Sequence, residues 1–225
     1  MLIKLIKDTI LYSKWKRMYA NAQNNMKSRK HKEGILIEVA AQHPLLDGYK
    51  PNEEFEKRLL LAYNLFKEKT KLSDKVYIYV PGSIHMDNGI IDKISLSEAG
   101  KNFLVNLGIP EKYIFADNMN TKYKGTEGVY NSTDECYVAS KVFEQLDAKE
   151  LHCVCSSGQM MRKVLSYIYF GYIPYMHTVS CDEMYHDYID EIFRNIPILL
   201  RDNNALQYKS VEAHRLRKLR KPYMN

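Results

Sequence analysis

The chain has 225 residues, of which 45% are hydrophobic and 27% charged, enough to bury a substantial core as one domain. Its net charge of +6 sits at the ends: residues 1–33 carry nine Lys/Arg against two acids and residues 205–225 six against one, which leaves 18 against 24 in between. An acidic body with basic ends argues against a globally basic nucleic-acid binder.

Residues 2–19 bring Leu2, Ile3, Leu5, Ile6, Ile10, Leu11, Trp15, Met18 and Tyr19 into one segment, interrupted by Lys4, Lys7, Asp8 and Lys14. No uninterrupted apolar run approaches the ~20 residues needed to span a bilayer, and no small-residue cleavage site follows an apolar core. The segment is expected to be an amphipathic helix packed on the domain. The alternatives are a helix lying on an anionic membrane surface, or an oligomer contact. Residues 21–34 are polar and basic and read as a linker, so residues 1–34 form an N-terminal addition.

The apolar run at 35–39 suits a buried first strand. Helical apolar spacing follows over 53–69, then a strand at 75–80 closed by Pro81-Gly82. A helix opens at Ser95 and stops at Gly108-Ile109-Pro110. A third strand is expected at 113–116, a helix at 131–145, a fourth strand at 151–155, a helix to about residue 170 and a fifth strand at 175–179. This β-α alternation predicts an α/β fold: a Rossmann-like three-layer αβα sandwich around a mainly parallel sheet of about five strands. The domain spans residues 35–204, with helical additions at both ends, and residues 205–225 form a basic C-terminal tail. The run Arg215 to Lys221 reads as a solvated helix face before it reads as a nucleic-acid contact.

Cys136, Cys153, Cys155 and Cys181 match neither a zinc pattern nor a redox pair, and are expected as buried, reduced thiols of a cytoplasmic protein.

In open parallel sheets ligands bind beyond the carboxyl ends of the strands, so the informative residues lie in the loops after each strand. After the first strand, Glu38, Gln42 and His43 can face a ligand. No GxGxxG is present there, so the usual dinucleotide fingerprint is missing. After the second come Gly82, Ser83 and His85, where glycine allows close backbone approach. Ser97 and Glu98 open the next helix, with Ser95 and Glu98 spaced as a capping box. Asn131 opens the helix after the third strand, where Asn131 or Ser132 can also act as a cap, with Glu135 completing a capping box. After the fourth strand, Ser156, Ser157 and Gln159 turn into a helix carrying Arg162. A helix start of this kind offers unpaired N–H groups to an anion, and Arg162 can add a bidentate contact. The acid/base candidates are Glu38, His43 and His85.

Several of these pieces, in order, resemble the ElyC/SanA/YdcF family: Arg58-Leu59, Ser97-Glu98-Ala99, Gly108-Ile109-Pro110, Asn131-Ser132 with Asp134-Glu135, and Cys155-Ser156 with Gln159-Met160 and Arg162. The resemblance covers residues 35–180. It departs after the first strand, where Ala40-Ala41-Gln42-His43 replace the family's glycines, and at Gln159, which replaces a histidine. The chain is most similar to the soluble YdcF type. For that type the resemblance implies a small anionic or nucleotide-like ligand, with S-adenosylmethionine as candidate cofactor. The alternative is an inactive interaction protein attached through its basic ends to a membrane surface or an acidic partner.

Overall fold

The structure, a computed structural model, describes residues 2–84, 86–87, 90–117, 122–123, 126–127, 129 and 132–180. The expected C-terminal helical addition and basic tail, and Cys181, lie outside the described residues.

Residues 35–39 are Ile, Leu, Ile, Glu and Val, and an almost wholly apolar run of this kind is stable only with both faces covered. It forms β1 (Gly34–Val39), buried throughout. The other strands are β2 (Val76–Pro81), β3 (Ile114–Asp117), β4 (Ala148–Ser156) and β5 (Tyr175–Val179). All pair in parallel, in the order β3-β2-β1-β4-β5. Two antiparallel hairpins, Met86–Asp87 with Ile90–Ile91 and Lys122–Tyr123 with Thr126–Glu127, stand outside this sheet. Strand β3 starts one residue later than expected because Tyr113 closes a single 3-10 turn after Pro110.

The helices are α1 (Leu2–Ser28), α2 (Glu53–Lys69), α3 (Leu96–Asn106), α4 (Ser132–Gln145) and α5 (Met160–Tyr169). Helix α2 begins where the Asn52 side chain accepts the Phe55 N–H at 2.9 Å. Acids fill its first turn and lysines its last, matching the helix dipole. Its stripe of Phe55, Leu59, Ala62 and Phe66 packs with α3 on one face of the sheet, against Ile35, Ile37 and Ile78. Gly100 lets α3 sit close, since a Cβ there would lie 2.7 Å from Val80. On the other face α4 and α5 bring Val138, Phe143 and Tyr167 against Leu36, Leu151 and Cys153. The result is the expected Rossmann-like αβα sandwich. Cys136, Cys153 and Cys155 are buried free thiols. Burial pushes the Cys136 and Cys153 thiols well above their ordinary range, which disfavours the thiolate form.

The expected linker at 21–34 is helical as far as Ser28. Its sequence contains no Gly or Pro before Gly34, and the last turns of α1 gain tertiary support that composition does not reveal. Ala22 is fully buried and Met26 packs on the core. Asn25 donates to the Gly171 carbonyl at 3.1 Å. Arg29 donates to the carbonyls of Ala148 at 2.7 Å and Phe143 at 3.1 Å, and its guanidinium lies 4.4 Å from the Phe143 ring centre. Tyr12 and Tyr19, further toward the start of α1, are exposed. No helix among the described residues is long and apolar enough to cross a membrane.

On the α2 face of β4 and β5, His152 and His177 share a hydrogen bond of 2.9 Å, and His152 also bonds Glu150 at 3.2 Å. Burial outweighs the pull of Glu150 and lowers His152 to about 4. His177 is lowered too, again mainly by burial. These folded-state values lie below the unfolded value near 6.5. The neutral rings' contribution is therefore fully present above about pH 6.5 and lost as the pH falls towards 4. The His152 contribution is of order 3 kcal/mol at most. Urea unfolding between pH 7.5 and 4.5 should show this loss. His152→Gln should flatten the slope, and an unchanged slope would refute the assignment.

Candidate functional site

The sheet order reverses at β1, whose neighbours are β2 on one side and β4 on the other. At such a switch point the loops after the two central strands diverge and leave a crevice. Here the loop after β1 starts at Ala40 and the turn after β4 at Ser157.

The loop from Ala40 to Leu45 is held on three sides. Arg58, fully buried on α2, donates through Nη1 to the carbonyls of Ala40 at 3.0 Å and Ala41 at 3.1 Å, and through Nη2 to Gln42 Oε1 at 3.2 Å and to Glu54. Glu135 on α4 accepts the Ala41 N–H at 3.3 Å. Asp92, 1% exposed, accepts the Leu45 N–H at 2.8 Å and pairs through Oδ2 with His43 Nδ1 at 2.7 Å. The peptide between His43 and Pro44 is cis, and the Pro44 carbonyl accepts from Asn52 at 2.9 Å. Backbone polar groups that could not be left unpaired in the interior are thus used to fix the loop.

Beneath the loop lies a buried charge cluster. Lys163 on α5 is completely enclosed and bonds Glu38 Oε1, and Glu135 Oε2 at 2.5 Å. The Tyr167 hydroxyl donates to Glu38 Oε2 at 3.0 Å. Burial opposes the Lys163 charge, but the Glu135 and Glu38 carboxylates outweigh it and hold the ammonium well above its ordinary range. Burial likewise raises Tyr167 well above the usual phenol range, reinforced by Glu38, so it stays a hydroxyl donor.

This revises the expectation for Glu38. Both its oxygens are engaged and it is 0% exposed, so it anchors Lys163 and Tyr167 and does not face a ligand as an acid/base group. Ser83 and Ser97 are also fully buried in structural bonds, Ser83 Oγ accepting the Val129 N–H at 2.8 Å and Ser97 Oγ meeting Ser95 Oγ at 3.0 Å. Ser95 caps α3 as the spacing predicts, accepting the Glu98 N–H at 3.1 Å. Glu98 itself is exposed on the first turn. Gly82 has φ +118°, and a Cβ there would lie 2.7 Å from the Leu96 Cβ, so glycine is needed where β2 turns toward α3. His85 and Asn131 lie outside the described residues.

At the end of β4, Ser156 is buried, while Ser157, Gln159 and Arg162 are partly exposed around the start of α5. The buried oxygen Oε1 of Gln159 has no hydrogen-bond partner among the described residues. The structure therefore brings Gln42 and His43 to one side of the switch point and Ser156 to Arg162 to the other. Sequence reasoning missed Asp92, Lys163 and Tyr167, and took Glu135 only as a capping residue. One signal was available. Glu38 interrupts an apolar strand and so requires a buried cation, and Lys163 and Tyr167, four apart on a helix, share a face.

No protein-family model, curated protein or solved structure matches the chain.

Proposed function

We propose that the chain binds a small anionic or nucleotide-like molecule in the crevice between the carboxyl ends of β1 and β4 and acts on it with His43 as the acid/base group. The observation that carries this reading is the switch point itself: the rigidly braced loop bearing His43 and the helix start bearing Ser157, Gln159 and Arg162 follow the carboxyl ends of two neighbouring parallel strands, β1 and β4. The first turn of α5 supplies N–H donors and partial positive charge suited to phosphate or carboxylate. The partnerless oxygen of Gln159 suits a ligand N–H or O–H donor. The resemblance to the ElyC/SanA/YdcF family supports the same place and adds S-adenosylmethionine as candidate. Reduced, buried thiols suit a cytoplasmic protein.

Thermal unfolding with S-adenosylmethionine, nucleotides and sugar phosphates tests this reading. A ligand at a hundred times its Kd contributes about 2.7 kcal/mol, or roughly 5–10 °C for a domain of this size. One of these classes should raise the melting temperature on that scale, and Arg162→Ala should remove the rise. If none of them shifts the transition, the ligand site is refuted.

A second reading, attachment to a membrane surface or acidic partner, is favoured by α1. Its last turns dock on the domain, while Tyr12, Lys16, Arg17 and Tyr19 are exposed. Sedimentation with anionic vesicles that weakens steeply with salt supports it, and salt-independent or absent sedimentation rejects it.

A further inference from the structure

We infer that Asp92 is the positioning residue of a proton-transfer pair with His43, an inference that rests on the ligand site proposed above. A carboxylate only accepts hydrogen bonds, so the 2.7 Å bond from Asp92 Oδ2 to His43 Nδ1 places the imidazole proton on Nδ1 and leaves Nε2 as the basic nitrogen. Asp92 cannot swing away. It is 1% exposed, and its other oxygen holds the Leu45 N–H at 2.8 Å, so one carboxylate grips the loop on both sides of Pro44.

The segment carrying Asp92 is itself latched. The N–H groups of Lys93 and Ile94 both donate to the Gly48 carbonyl, at 2.8 and 3.3 Å, and the Lys93 ammonium lies 4.7 Å from the Tyr49 ring centre. The pair therefore joins the connections that follow β1 and β2, both at the carboxyl end of the sheet. The His43 side chain retains 13% exposure, whereas that of Asp92 retains none. A buried carboxylate beneath a partly exposed imidazole orients the ring and stabilises the cation that forms when Nε2 takes a proton.

The ligand class is one that presents a hydroxyl, or that is attacked by water, beside its anionic group. In the step assigned to the pair, the O–H bond of that hydroxyl or water breaks. Its proton goes to His43 Nε2, and the electron pair stays on the oxygen, which becomes the nucleophile. That oxygen forms a bond to the phosphorus or carbonyl carbon of the anionic group, the bond from that atom to its leaving oxygen breaks with its electron pair going to the leaving oxygen, and the imidazolium gives that oxygen its proton.

The tautomer can be read without knowing the ligand. Histidine nitrogen NMR of the full chain, recorded with the His43 ring in its neutral form and with His43 assigned by the signal lost in His43→Gln, should show protonated Nδ1 and unprotonated Nε2. In Asp92→Asn the amide nitrogen faces Nδ1 as a donor while the amide oxygen keeps the Leu45 N–H, so the proton should move to Nε2. Acylation of His43 by diethyl pyrocarbonate, followed by peptide mass spectrometry, should then slow by at least about tenfold. A wild-type ring protonated on Nε2, or a tautomer and acylation rate unchanged in Asp92→Asn, overturns the inference. Should Asp92→Asn not fold, the wild-type tautomer alone decides. Failure of every compound to shift wild-type melting would overturn the ligand site, and with it the role, even where the tautomer is as stated.

Discussion

Lys163→Met should cost about 3–5 kcal/mol, the penalty of stripping one partner from a buried ion pair, and lower the melting temperature by roughly 10 °C. The charge count decides the size. Two carboxylates, Glu38 and Glu135, meet one ammonium, all three with side chains at most 10% exposed. Without Lys163, two like charges remain in a region of low dielectric. Among the described residues only the Tyr167 hydroxyl and the Ala41 N–H are left to answer them. Glu38→Gln removes a charge of the majority sign and leaves Lys163 paired with Glu135, so it should cost clearly less. Triple replacement with Glu38→Gln, Lys163→Met and Glu135→Gln should recover much of the loss. Urea and thermal unfolding of the three variants measure the ranking. If Glu38→Gln destabilised as much as Lys163→Met, the cluster would not be governed by charge balance.

That cluster also shows which parts of the molecule were legible in the sequence. The five strands and the helices between them follow from apolar runs and 3.6-residue spacing, because each is set by neighbours close in sequence. The caps at Asn52 and Ser95 are equally local. The site is not. Lys163 lies 125 residues from Glu38, and Asp92 lies 49 from His43, so only the strand order brings them together. Local reasoning saw Glu135 as a cap partner because its spacing from Ser132 fits one, whereas its carboxylate is spent on Lys163 and the Ala41 N–H. Glu38 could be singled out as polar within an apolar strand, but its partners decide that it is structural. The last turns of α1 read as linker because they dock through Ala22, Asn25 and Met26, with Arg29 just beyond, rather than through a periodic apolar stripe.

Arg58→Met should be comparably severe, through hydrogen bonds more than through charge. The fully buried guanidinium serves two backbone carbonyls, the Gln42 side chain and Glu54. Ala40 and Ala41 are 0% and 8% exposed, so water does not readily replace the lost donors. Leaving a buried acceptor unpaired costs about 1–3 kcal/mol each, so the variant should lose about 3–5 kcal/mol. Arg58→Lys should recover only part of this. A single ammonium lacks the planar fork that reaches Ala40 and Ala41 from one nitrogen and Gln42 and Glu54 from another. The loss should also be uneven across the molecule. The bonds from Glu135 to Ala41 and from Asp92 to Leu45 hold the same loop, so amide exchange should accelerate most at residues 40–46 while β2 and β4 stay protected. Because His43 rides on that loop, ligand-induced stabilisation should fall further than global stability does. Hydrogen exchange on Arg58→Lys separates the two contributions. If protection at residues 40–46 equalled that of the wild type, Arg58 would be a packing residue rather than the brace of the site.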